Sequence, residues 1–142
     1  MRLWHYKLLE FLPDAQFKGQ LRELVAIMHD WRDKGTTNHL LINRVMDFPK
    51  ADLSSYFWVY MTEYSKRYGT HNDELVKEFV DFADGGHFNP KPFLGWHDDD
   101  YLKVCVTNLF EKSHFGKGKS QISQQEWQTV LRGYKNITGE YW

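Results

Sequence analysis

The sequence predicts an all-α fold, a compact single-domain bundle of about four to five helices with an N-terminal arm. Three observations predict it. Apolar residues recur at three- and four-residue spacing in separate stretches, the breaks between stretches fall on Gly or Pro, and no pair of alternating strands appears anywhere in the chain. At 142 residues the chain suits one ordinary domain, 1–142, and is too short for two independent cores.

Residues 1–13 place Leu3, Trp4, Leu8, Leu9, Phe11 and Leu12 ahead of Pro13, which reads as a packed arm, partly helical or extended, that stops at the proline. Asp14 is a good N-cap for an amphipathic helix over about 15–32, with Phe17, Leu21, Leu24, Val25, Met28 and Trp31 as its apolar face and Gly35 as its stop. A short helix is expected between Thr36 and Asp47. Pro49 fits the first turn of a long helix whose apolar face is Leu53, Phe57, Tyr60, Met61, Tyr64 and Tyr68, ended by Gly69. Asn72 or Asp73 caps a third helix with Leu75, Val76, Phe79 and Val80 inward. Residues 85–97 form a loop rich in Gly, Pro and aromatics. Asp98, Asp99 and Asp100 suit the N-terminus of a helix running to about Ser113. A flexible basic link, 116–120, leads to the capping box Ser123-Gln-Gln-Glu126 and a last helix to Gly133.

Composition restricts function. Hydrophobic residues at 42% and charged residues at 26% exclude a disordered chain. Aromatics reach 17%, with six Trp, and serve either a bulky core or a set of surface rings that stack on bases; the core is the favoured reading. No stretch approaches a membrane span or a signal peptide, so a cytoplasmic protein that engages no membrane is expected. The single cysteine, Cys105, lies in an apolar run and reads as a packed thiol. Net charge is −1, which argues mildly against a polyanion partner. The charge is uneven, however: residues 1–70 carry ten Lys/Arg against eight Asp/Glu, 71–100 carry two against eight, and 101–142 carry six against three. The acid is concentrated in one segment, and both ends of the chain are free to face phosphate.

The first long helix holds the clearest candidate for chemistry. Gln16, Gly19, Glu23 and Ala26 follow one line at helical spacing, so Glu23 stands on a face with almost no bulk beside it. A glycine inside a helix costs about 1 kcal/mol relative to Ala, which asks for a reason. The face is either room for a ligand beside a carboxylate or a solvated Arg-Glu surface with an incidental glycine.

Leu12-Pro13-Asp14-Ala15-Gln16-Phe17-Lys18-Gly19-Gln20-Leu21-Arg22-Glu23-Leu24 resembles the start of the catalytic helix in the phage endonuclease V type of pyrimidine-dimer DNA glycosylase. The opening Met1-Arg2-Leu3-Trp4-His5 is similar to the bacterial branch of that family. The resemblance covers residues 1–70, with weaker parallels in Glu63-Tyr64-Ser65-Lys66-Arg67 and a Trp near the C-terminus. It implies a DNA-repair enzyme with glycosylase and AP-lyase activity. Members attack the sugar C1′ with the N-terminal α-amine, form a Schiff base, release the base and cut the strand by β-elimination. Carried over by position, Met1 supplies the amine, Glu23 is the acid and base at the sugar, and Arg22 is the phosphate clamp. An α-amine titrates near 8, so roughly one in six is neutral at pH 7, against about one in 2,500 for an ordinary lysine. Arg2 beside it depresses the amine further by charge repulsion. The family pattern is departed from at residue 2, where a bulky Arg blocks removal of Met1, and at Ala26, where the phage sequence has a second helix arginine.

Arg2, Lys18, His39, Lys117 and Lys119 are the further candidates for DNA contact, and His5, part of the bacterial opening, is a candidate to orient a phosphate or move a proton or else a hydrogen-bonded structural residue. The resemblance implies no cofactor and no metal, with damaged double-stranded DNA, including pyrimidine dimers, as the partner of a monomer. Two rival readings are a catalytically silent nucleic-acid-binding module of the same fold and a metal-dependent hydrolase built on His5, His39 and the Asp98–Asp100 run. The spacing of that run matches no standard zinc or calcium loop.

Overall fold

The computed structural model describes residues 2–37, 39, 42–118 and 121–142. Over these it is all-α, with five α-helices and two 3-10 helices and no strand among the described residues. The α-helices are α1 (Asp14–Lys34), α2 (Lys50–Tyr68), α3 (Asp73–Ala83), α4 (Asp99–Phe115) and α5 (Gln124–Thr138); the 3-10 helices are Tyr6–Phe11 and Ile42–Asp47. The Tyr6–Phe11 turn packs against both α2 and α5, α2 packs on α3, and α4 on α5. One apolar cluster draws on all of these elements, from Leu3 and Trp4 to Val130 and Tyr134. Among the described residues no helix is long and apolar enough to cross a membrane.

The helix ends follow local chemistry. Gly35 and Gly69 both adopt φ +70° and close α1 and α2 with backbone N–H bonds to carbonyls of the last turn. The Asn72 side chain accepts from Leu75 N at 3.1 Å, and Asp98 accepts from Tyr101 N at 2.8 Å. Ser123 and Glu126 complete both halves of their capping box. Pro13, not Asp14, occupies the N-cap of α1. Asp14 is the first helical residue, and its carboxylate accepts from the Tyr68 hydroxyl and pairs with Lys18.

Three further expectations are corrected. The last helix runs through Gly133 to Thr138, because Gly133 sits where Phe11 packs directly on the helix backbone; a Cβ there would collide with the Phe11 side chain. Val80 points outward from α3, at 59% exposure, and Phe82 takes the inward position. The buried face of α1 is Phe17, Gln20, Leu24, Ile27 and Met28, so it includes an amide where the apolar pattern indicated only hydrocarbon. The short helix expected between Thr36 and Asp47 is the Ile42–Asp47 turn; residues 38, 40 and 41 lie outside the described residues.

Two buried polar devices shape the frame. Arg67 on α2 donates from Nη2 to the carbonyls of Leu9, Glu10 and Leu12 at 3.3, 3.2 and 2.9 Å, satisfying the carbonyl end of the Tyr6–Phe11 turn. Its guanidinium lies 4.1 Å from the Phe17 ring centroid and its Nε is 3.0 Å from Glu63. Asp52, also on α2, accepts from Asn89 Nδ2 at 2.9 Å and Phe93 N at 3.0 Å. That pins the 85–97 loop so that Phe93 and Trp96 enter the core, while Phe88 and Leu94 stay outside. Cys105 is buried, and burial pushes its thiol up, as expected of a packed and unreactive group.

The extended arm before the first turn has no strand partner among the described residues. Gln20, fully buried, fills that role from α1: Trp4 N donates to its Oε1 at 2.8 Å and its Nε2 donates to Arg2 O at 2.9 Å. Tyr56 of α2 donates its hydroxyl to Trp4 O at 2.5 Å, and Tyr101 of α4 donates to Leu3 O at 2.6 Å. Gln20→Leu removes both arm bonds of the amide and leaves a buried N–H and a carbonyl unpaired. The expected loss is about 2–4 kcal/mol of unfolding free energy in a urea titration. A loss below about 1 kcal/mol would mean that the arm holds its place without the amide.

Candidate active site

The arm and the helices it is tied to enclose a polar cavity of about 390 Å³. Its floor is α1, where Gln16, Gly19 and Glu23 line up one turn apart, as the helical spacing requires. Arg2 and Trp4 form the arm side, and Asn108 and Lys112 of α4 form the far side. A Cβ built on Gly19 meets nothing within 4 Å, so the glycine opens the floor instead of serving a helix contact. The Oε1 atom of Gln16 is buried and has no hydrogen-bond partner among the described residues.

Glu23 is the half-buried carboxylate of this space. Its Oε2 accepts from Gln20 Nε2 at 3.0 Å and from the backbone N–H of Arg2 at 3.4 Å. Burial raises its pKa above the ordinary glutamate value, and the Arg2 N–H, the Gln20 amide and the Arg22 charge pull the other way without cancelling it. The result is a carboxyl group held closer to its protonated form, as an acid that also acts as a base requires. The Arg2 guanidinium lies 5.6 Å from the Trp4 ring centroid.

The other predicted residues divide. Arg22 is exposed one residue before Glu23 and forms no ion pair among the described residues. Lys18 is exposed, pairs with Asp14 at 3.0 Å and lies 5.5 Å from the Tyr68 ring centroid, away from the cavity wall. His39 is exposed; its carbonyl accepts from Ile42 N, Asn43 N and the Thr37 hydroxyl, and its N–H donates to Thr37 Oγ1. Lys117 is exposed in the link after α4. Met1 and Lys119 lie outside the described residues.

His5 does not line the cavity. It is buried, its Nδ1 accepts from Lys7 N at 3.1 Å as the cap of the Tyr6–Phe11 turn, and its ring stacks on His97 at 5.2 Å between centroids. His97 accepts from Tyr6 N at 3.2 Å and packs against Tyr101, Trp96 and Phe93. Burial lowers the pKa of His5 to about 4 and that of His97 well below the ordinary histidine value. Both rings are therefore neutral near pH 7. Among the described residues no three His, Cys, Asp or Glu side chains converge as a metal site would need.

Sequence reasoning missed Gln20, Asn108 and Lys112. The α4 pair had a signal, two polar residues one turn apart on a helix, but nothing in the pattern says which cavity that face meets. Gln20 had none.

An open polar cavity with a half-buried carboxylate and an arginine-bearing arm stands on an all-α frame. The family described as pyrimidine dimer DNA glycosylase matches residues 1–77, more than half the chain, and the protein belongs to that family of DNA-repair glycosylases. The match spans the arm, α1 and α2 and includes Arg2, Arg22 and Glu23; α4 lies beyond it. No curated protein and no solved structure matches the chain significantly.

The buried histidines give the fold a pH dependence. Their folded pKa values are depressed, so the unfolded chain binds more protons wherever pH lies below the free value near 6.5 and above the folded values. Stability is fully present above about pH 6.5 and is lost as pH falls toward 4. Unfolding near pH 5 should take up about two protons from this pair. His97→Phe should flatten the fall in urea midpoint between pH 7 and 5, and an unchanged slope would show that His97 is not a buried neutral ring.

Proposed function

We propose that the protein is a DNA glycosylase with AP-lyase activity, acting on a damaged nucleotide of the pyrimidine-dimer type in duplex DNA. The observation that carries the reading is the Arg2 N–H on the Glu23 carboxylate at 3.4 Å. That nitrogen is three bonds from the α-nitrogen of residue 1, so covalent geometry alone keeps a free terminal amine within reach of the acid that has to serve it.

The chemistry follows from these groups. The neutral amine of Met1 attacks C1′ of the sugar, and the C1′–N glycosidic bond breaks, with the electron pair leaving on the base and a proton supplied to it. The nitrogen loses its proton as the sugar ring opens, leaving an iminium at C1′. Glu23, with its pKa raised, gives a proton at the opening ring and as carboxylate takes one from C2′. The C3′–O bond then breaks with the phosphate as leaving group, and water hydrolyses the imine to free the amine. Arg22 and Arg2 hold phosphates on either side of the sugar, which fixes the register of the strand without reading sequence. No cofactor enters, since the electron sink is the iminium itself.

Untagged protein with a confirmed free N-terminus, mixed with duplex DNA carrying one abasic site and treated with borohydride, should give a covalent adduct that maps to the α-amine of Met1. Glu23→Gln should bind the duplex as wild type does and lose strand cutting by at least a hundredfold, in the range typical of general acid–base catalysis. Chelator should leave the wild-type rate unchanged. No adduct from folded protein with a free amine would overturn the lyase and leave a DNA-binding module.

A further inference from the structure

We propose that α4 supplies the second wall of the DNA cleft, with Lys112 anchoring a backbone phosphate and Asn108 hydrogen-bonding the nucleotide held against Glu23. The proposal rests on the glycosylase reading and extends it to an element that the family match does not reach.

Three observations carry it. Asn108 and Lys112 stand one helical turn apart and line the same cavity as Glu23 and Gly19. Asn108 and Arg2 also line an adjoining hollow of about 390 Å³ that runs along α4 past Thr107, Lys103 and Glu111. The two hollows share those residues and form one polar trough crossing the arm, α1 and α4. The trough is also short of partners. Lys112 forms no ion pair among the described residues, whereas Lys18 is paired with Asp14. The buried Gln16 Oε1 has no donor, and the Asn108 amide lines the same space from the opposite element.

The charge count selects the ligand. Along the whole trough Arg2, Lys103 and Lys112 stand against Glu23 and Glu111, and because burial favours the neutral form of Glu23, the part of the trough beside it gains net positive charge whenever Glu23 is protonated. A phosphodiester meets that charge, and two amides of opposite walls offer donors and acceptors to a sugar hydroxyl or a base edge. Lys112 contributes a point charge on a flexible stem, which tolerates phosphate movement as the strand is cut, whereas Asn108 is short and fixes one orientation. The two residues therefore divide affinity and selectivity between them.

The test separates these roles. Binding to a duplex with a single tetrahydrofuran abasic analogue, which cannot form a Schiff base, is measured by fluorescence anisotropy across a salt series. Lys112→Met should reduce the slope of log affinity against log salt by about 0.9, the loss of one phosphate contact. Lys77→Met, an exposed lysine on α3, should leave the slope as in wild type. Asn108→Ala, folded by circular dichroism, should release base from a pyrimidine-dimer duplex at least tenfold more slowly than wild type. A wild-type slope for Lys112→Met, with the variant folded by circular dichroism, overturns the phosphate role, and equal rates of base release for Asn108→Ala overturn the other. A wild-type protein that neither binds nor traps the abasic duplex overturns the glycosylase reading itself, an outcome distinct from a wild type that traps while both α4 variants match it.

Discussion

An extended peptide buried among helices has polar groups that no ladder can satisfy, and the way this protein satisfies them sets the rest of its structure. The arm at residues 2–6 runs through the core without a strand beside it. Its partners are side chains from separate elements: Gln20 of α1, Tyr56 of α2, Tyr101 of α4 and His97 of the loop before it. A buried polar group left unpaired costs about 1–3 kcal/mol, so each of these side chains is fixed by its task. The arm in turn fixes them, since it is the one segment all four reach. The cavity exists where this arrangement leaves α1 and α4 apart, with the arm as the wedge between them.

The same constraint explains the aromatic load. Tyr56 and Tyr101 each bury a ring for the core and bring a hydroxyl to an arm carbonyl, a combination Phe cannot offer. Phe93, Trp96 and His97 close around them. Rings that could have been read as a stacking surface for bases are therefore largely core. Electrostatics follows a similar division. The acidic excess lies on α3 and at the N-terminus of α4, whereas three cations, Arg2, Lys103 and Lys112, border the trough against two carboxylates, Glu23 and Glu111. A net charge of −1 is compatible with a local cationic groove because the charges are sorted by element.

What the sequence made legible was whatever depends on near neighbours. Helix caps at Asn72, Asp98 and Ser123 and glycine stops at Gly35 and Gly69 are local chemistry, and they read directly. The line of Gln16, Gly19 and Glu23 is helical periodicity, which also reads directly, and the structure opens that line into a cavity. Gln20 was illegible because its partners on the arm and α2 lie 16 to 36 residues away and nothing local distinguishes a buried glutamine from a surface one. Gly133 looked like a stop because glycine ends helices far more often than it admits a phenylalanine ring to a helix backbone. His5 carried two readings, and burial against His97 makes it a neutral cap, a fact set by residues more than ninety positions away.

The arm and the acid are not independent parts. Gln20 holds the arm through Trp4 and Arg2 and also donates to Glu23, and the Arg2 N–H donates to the same carboxylate oxygen. Each of those donors favours the ionised form of Glu23, against burial, which favours the neutral form. Seating the arm therefore does two things at once: it adds donors that stabilise the carboxylate, and it removes water, which destabilises it. A carboxyl poised between these opposing effects changes protonation with small shifts of the arm, and the arm is where residue 1 is attached. In the proposed reaction, which needs an acid while the base departs and a base when C2′ gives up its proton, covalent attachment of the sugar to the arm would itself bias the group that must act next. The coupling needs no moving domain and no second site: one donor to the carboxylate is the Arg2 N–H of the arm, the other is Gln20 of α1, which the arm holds, and in the proposed reaction that arm carries the nucleophile.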